Sequence, residues 1–110
     1  MADDLLAARI RAALPDPELT EQKMFGGVCF MSRGNMVACA SKRGLMVRVG
    51  KDAHAAALRR PHAQPMEMRG RVVAGYVLVS PDGVAEDRDL RAWLALAQAY
   101  VATLPPKPKG

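Results

Sequence analysis

Four side chains in this sequence are of the types that hold zinc or softer metals: Cys29, Cys39, His54 and His62. A structural zinc site wants four such ligands in a tetrahedron, usually delivered as closely spaced pairs. No C-x-x-C or H-x-x-x-H spacing occurs here. The strand register derived below also puts Cys29 and Cys39 on opposite faces of a sheet, so no metal centre is expected. A cysteine nucleophile would need a thiolate and a base within reach. Cys39 is expected in the core, and no histidine stands near Cys29 in sequence. Acid–base chemistry would need carboxylates held in a cleft. The acidic residues fall almost entirely at helix starts or in loops, where capping and solvation account for them. Glu67 is the exception, and its alternation with Met66 and Met68 predicts a solvent-facing strand position. The chain is therefore read as non-enzymatic, with no cofactor.

Two other groups of side chains point to binding. The first is basic: Arg59, Arg60, Arg69 and Arg71, with Lys42 and Arg43 at a hairpin tip. The formal net charge is +5, and a surface of this sign can track phosphates. Stacking aromatics are scarce, which argues against a single-strand or RNA platform. No helix-turn-helix pattern occurs. Nucleic-acid contact through these arginines is thus the alternative reading. The second group is sulfur-rich: Met31, Met36 and Met46, accompanied by Arg48. Flexible, polarizable methionines suit adaptable binding surfaces. An apolar patch left open marks an interface, so a protein partner or a second copy of the chain is expected there.

These residues must be positioned by a small fold. The 110 residues suit one domain, read as 1–104, with 105–110 as a disordered basic tail. No apolar run approaches the roughly 18 residues of a membrane span. The start, MADDLL, is acidic where a secretory signal would be basic, so the cytoplasm is expected. Asp3 to Leu14 predicts a helix with Leu6, Ile10 and Leu14 in one stripe, ended by Pro15 and Pro17. A short edge strand follows and runs into Gly26-Gly27, where a bulge or a close backbone approach is expected.

Met24 to Val49 then reads as neighbouring strands joined by tight turns. A two-residue loop at Arg33-Gly34 sets Phe30 opposite Val37 and Val28 opposite Cys39. A three-residue loop at Lys42-Arg43-Gly44 sets Ala40 opposite Met46 and Cys39 opposite Val47. One face then carries Val28, Phe30, Val37, Cys39, Leu45, Val47 and Val49. The other carries Cys29, Met31, Met36, Ala38, Met46 and Arg48. A short helix is predicted from Lys51 to Arg59, strands over 64–69 and 72–79, and a turn at Ser80-Pro81-Asp82-Gly83. The final helix has Asp87 as N-cap and Leu90, Trp93, Leu94, Ala97 and Val101 on one face, with Trp93 as a core anchor. The order α-β-β-β(-β)-α-β-β-α implies an α+β, two-layer fold, an antiparallel sheet with helices on one face.

Lys23-Met24-Phe25-Gly26-Gly27-Val28, then Phe30, a Gly34 turn, Met36, a Gly44 turn and Leu45-x-Val47-x-Val49, resembles the N-terminal domain of the TfoX/Sxy family. Glu86-Asp87, Leu90 and Trp93 resemble its last helix. The resemblance implies a secretion-chaperone-like α+β fold and a regulatory role. Named members are transcriptional co-regulators of natural competence and carry a further helical C-terminal domain. Only the N-terminal module is matched here, and the family offers no catalytic residues to transfer.

Overall fold

The computed structural model describes residues 2–14, 19–24 and 27–105. Six strands form one antiparallel sheet in the order β1-β2-β3-β4-β6-β5. The strands are β1 (Leu19–Met24), β2 (Gly27–Ser32), β3 (Asn35–Ser41), β4 (Gly44–Arg48), β5 (Ala63–Met68) and β6 (Arg71–Val79). Helices α1 (Ala2–Ala13), α2 (Lys51–Leu58) and α3 (Asp87–Val101) complete the fold, with a short 3-10 turn at Pro81–Val84. This is the expected α+β order. Pro15 and Pro17, expected to end α1, and residues 106–110 of the tail lie outside the described residues. No described helix is long and apolar enough to cross a membrane.

All three helices contribute to one core on one face of the sheet. Leu6, Ile10 and Leu14 bring the α1 stripe, Ala57 brings α2, and Leu90, Trp93, Leu94, Ala97 and Val101 bring α3. The sheet answers with Phe30, Val37, Ala38, Ala40, Leu45, Val47, Val77 and Val79, all buried. Burial of this kind is the main favourable contribution to folding, about 1.5–3 kcal/mol for each large apolar side chain. Trp93 sits in this core as expected. The N-cap of α3 is Glu86 rather than Asp87, and its side chain makes no capping bond. Asp87 instead occupies the first helical turn, where its charge still complements the dipole and pairs with Arg9 of α1 at 3.0 Å.

The hairpin β2–β3 closes as expected, with Ser32 opposite Asn35 and positive φ at both Arg33 and Gly34, the geometry of a type I′ turn. A bulge then intervenes. Met31 faces Met36, but Phe30 faces Ala38, so Val37 is an extra residue in β3. Val37 and Ala38 therefore both enter the helix-side core. At the next turn Ser41 faces Gly44, so the loop has two residues rather than three. The two departures offset each other. The faces expected for β2 and β4 hold, while Ala38 and Cys39 exchange faces.

Beyond β4 the chain crosses to α2 through a close backbone approach to β6. The Gly75 carbonyl accepts bonds from the Val49 and Gly50 amides at 2.8 and 3.1 Å. Gly75 has φ +87°, and a Cβ there would meet the Gly50 carbonyl carbon at 3.1 Å. The expectation that something packs close to this glycine is thus met by the β4–α2 junction itself.

Candidate functional site

The face of the sheet away from the helices carries a second, separate cluster. Cys29, Met36, Cys39 and Met46 are its buried members, with Met31, Met66 and Tyr76 partly buried around them. Register explains the gathering. Cys29 of β2 stands opposite Cys39 of β3, and Cys39 stands opposite Met46 of β4. Met46 in turn faces Leu78 of β6. Four adjacent strands thus deliver one side chain each to a single row.

Two expectations are corrected here. Cys29 and Cys39 share a face, because the Val37 bulge shifts the second half of β3 by one residue. Met36 and Met46, expected on an open surface, are 8% and 4% exposed. Met31 alone of the three remains half-buried and reachable. Among the described residues, no helix residue belongs to this cluster.

Burial pushes the Cys29 thiol above its ordinary pKa, offset in part by a hydrogen bond with Cys39. It pushes the Cys39 thiol up much further, with the Cys29 thiol adding to the shift. Both groups are therefore neutral thiols at physiological pH and poor nucleophiles. Beside them lies an open cavity of about 280 Å³ lined by Cys39, Ser41, Lys42, Arg43, Met46, Met66 and Leu78. Its floor is apolar and sulfur-rich, and its rim carries the exposed Lys42 and Arg43.

Arg48, grouped with the methionines in sequence, is held by aromatic rings. Its guanidinium lies 5.7 Å from the ring centres of both Tyr76 and Tyr100, within reach of a cation–π contact. Tyr76 and Met66 were not singled out from sequence. The alternation Met66-Glu67-Met68 was the available signal, since Glu67 is exposed as expected and Met66 points the other way.

The arginines of the alternative reading do not form one patch. Arg59 and Arg60 follow α2, and Arg69 and Arg71 bracket the β5–β6 turn; all four are exposed. The six residues of β5 separate the pairs, about 20 Å at the usual strand rise. Arg60 is also engaged, 5.1 Å from the Trp93 ring centre. The pair Arg69-Gly70 forms a second turn with positive φ at both residues, which projects Arg69 into solvent.

His54 lies on α2, on the helix side of the sheet, and its Nε2 is buried with no hydrogen-bond partner among the described residues. His62 lies in the loop before β5, so neither histidine joins the cysteines. Among the described residues no three His, Cys, Asp or Glu side chains converge as ligands.

Of the MFGG stretch, Met24 ends β1 and Gly27 begins β2, while Phe25 and Gly26 lie outside the described residues. A Cβ at Gly27 would clash with the Ala40 carbonyl oxygen, so the close approach expected of this glycine is made by β3.

The fold and this stretch agree with what comparison finds. A family model described as the TfoX N-terminal domain matches residues 12–100. Among curated proteins none matches the chain. The chain belongs to the TfoX N-terminal domain family.

Proposed function

We propose that this TfoX N-terminal domain is a non-enzymatic regulatory module of the competence-regulator type, which docks a protein partner or a second copy of itself. The contact surface is the sheet face opposite the helices, centred on Met31, Met66 and the cavity beside Cys39. One observation carries the reading: all three helices contribute to the core on the other face, and among the described residues this face has only strand residues in its cluster. Family membership is consistent with a regulatory role. The half-buried methionines, over a floor of buried sulfur, offer a soft surface that can adapt to a partner. The rim cations Lys42 and Arg43 favour an acidic one.

The test uses positions that tolerate change. Met31→Glu and Met66→Glu place a charge on half-buried sites, whereas Met46 is too buried to substitute without disturbing the sheet. Light scattering and pull-down with each variant should show lost self-association or lost partner capture at unchanged thermal stability. A monomeric wild type whose pull-downs match those of both variants sinks the reading.

Direct nucleic-acid contact is the second reading, supported by the four exposed arginines and the net charge of +5. It predicts binding that falls steeply with salt and weakens on Arg69→Ala and Arg71→Ala. No binding at low salt would remove it.

A further inference from the structure

We propose that Cys29 and Cys39 form the heart of a soft monovalent metal site, suited to Cu(I), completed by the thioether of Met46. The site shares the cavity beside Cys39 with the docking surface, but metal binding does not depend on docking.

Geometry comes first. Antiparallel pairs alternate between hydrogen-bonded and non-hydrogen-bonded partners, and each residue alternates between its two neighbouring strands. The closing pair Ser41–Gly44 is hydrogen-bonded by its tight turn, which makes Ala40–Leu45 non-bonded and Cys39–Met46 bonded. Cys39 therefore turns its peptide groups toward β4, and its pair with Cys29 across β2 is non-hydrogen-bonded. Counting from the other turn, Ser32–Asn35, and allowing for the Val37 bulge gives the same result. Non-hydrogen-bonded partners are the closer kind, with Cα atoms about 4.5 Å apart and side chains converging. The two thiols are accordingly neighbours in one buried cluster.

Chemistry comes second. The buried side chains that share the thiols' cluster are the thioethers Met36 and Met46, with Leu78 beside them in the cavity lining. Thiolate and thioether ligands select soft ions such as Cu(I). Zinc is served poorly, because its tetrahedron would need two further thiolates or imidazoles, and both histidines lie elsewhere in the fold. Met46 stands directly opposite Cys39, so its thioether is placed to act as a third ligand. Access is through the cavity, which Cys39 and Met46 both line.

Charge comes third. Binding proceeds as Cu(I) plus two thiols giving a bis-thiolate complex and two protons. Two S–H bonds break, two Cu–S bonds form, and no electrons move. The complex carries one net negative charge, and Lys42 and Arg43 at the cavity rim face it with the opposite sign. Since protons are released, affinity must rise with pH.

The experiment uses the whole chain, reduced and anaerobic, with Cu(I) supplied as its bicinchoninate complex and Ag(I) as a redox-inert probe in native mass spectrometry. The wild type should withdraw one ion per chain from bicinchoninate. Its mass should rise by one metal less two protons. Cys29→Ser and Cys39→Ser should each weaken binding by more than the roughly 100-fold typical of losing a supporting group beyond the ligands. Met46→Leu, close in volume and expected to fold, should weaken it about 10-fold. Failure of the wild type to compete with bicinchoninate overturns the proposal. So does wild-type affinity in the Met46→Leu protein or in either serine variant, or a mass gain without proton loss.

Discussion

Replacing Gly75 with alanine should expose how tightly β6 is seated against the β4–α2 junction. Two costs add. At φ +87° a residue with a Cβ loses about 1–2 kcal/mol relative to glycine. The new Cβ would also stand 3.1 Å from the Gly50 carbonyl carbon and 3.3 Å from both the Gly50 Cα and the Lys51 amide nitrogen. These are backbone atoms of a helix start, which cannot swing aside as a side chain can. Moreover, the Gly75 carbonyl fixes the same junction through two hydrogen bonds. Overpacking of this kind costs about 1–3 kcal/mol. The sum is about 2–5 kcal/mol, a large part of the 5–15 kcal/mol that holds a domain of this size. At about 4 °C per kcal/mol the midpoint should fall by roughly 8–20 °C. Gly70 supplies the control. It has φ +78°, but a Cβ there meets nothing within 4 Å, so Gly70→Ala should lose only the conformational part, about 1–2 kcal/mol. Urea titrations followed by far-ultraviolet circular dichroism and by Trp93 fluorescence measure both. Equal losses in the two variants, or a Gly75→Ala loss below about 1 kcal/mol, would refute the argument that the close approach is rigid.

Three smaller effects follow from the same structure. Arg60→Ala removes a cation from the Trp93 face and should cost about 0.5–1 kcal/mol, with a shift in Trp93 emission; unchanged emission and stability would show the contact to be idle. Asn35→Ala removes the bond from the Asn35 Nδ2 to the Pro105 carbonyl at 2.9 Å and should cost about 1 kcal/mol, with faster exchange of the Thr103 and Leu104 amides. The Arg11 guanidinium donates to the Glu21 carboxylate, which holds that carboxyl below the ordinary range. A depressed folded pKa stabilises above the unfolded value and is lost as pH falls through the folded one, so stability should decline on the acid side of the usual carboxylate range. Exposure makes the effect small, and Glu21→Gln should flatten that limb of the pH–stability curve without moving the neutral plateau much.

Much of the fold was legible because its signals were local. The Leu6–Ile10–Leu14 stripe, the Trp93 face of α3 and the Arg33-Gly34 turn each rest on spacing or on a residue with a conformational preference. What escaped was the inside of β3. Six of its seven residues are buried, so no polar alternation marks which side each faces. Met, Val, Ala and Cys all read alike there, and a bulge at Val37 leaves no trace in such a run. The Lys42-Arg43-Gly44 turn was ambiguous for a related reason: a glycine after two basic residues suits either loop length. Site assignments inherited that one-residue error. Arg48 stayed with the Met46 face, but Cys39 was assigned to the core and the thiol pair could not be seen.

The order of the strands also decides how two copies of this sheet can meet. Its two free margins are β1 and β5, and open margins invite another chain to continue the ladder. On β1 the exposed Glu21, Gln22 and Lys23 run along the margin. On β5 Pro65 lacks an amide proton, and the register slips between Pro65 and Glu67. Growth of the sheet from chain to chain is discouraged at both margins. Crowded copies should therefore stay dispersed rather than build fibrils, and any pairing between them is directed through side chains.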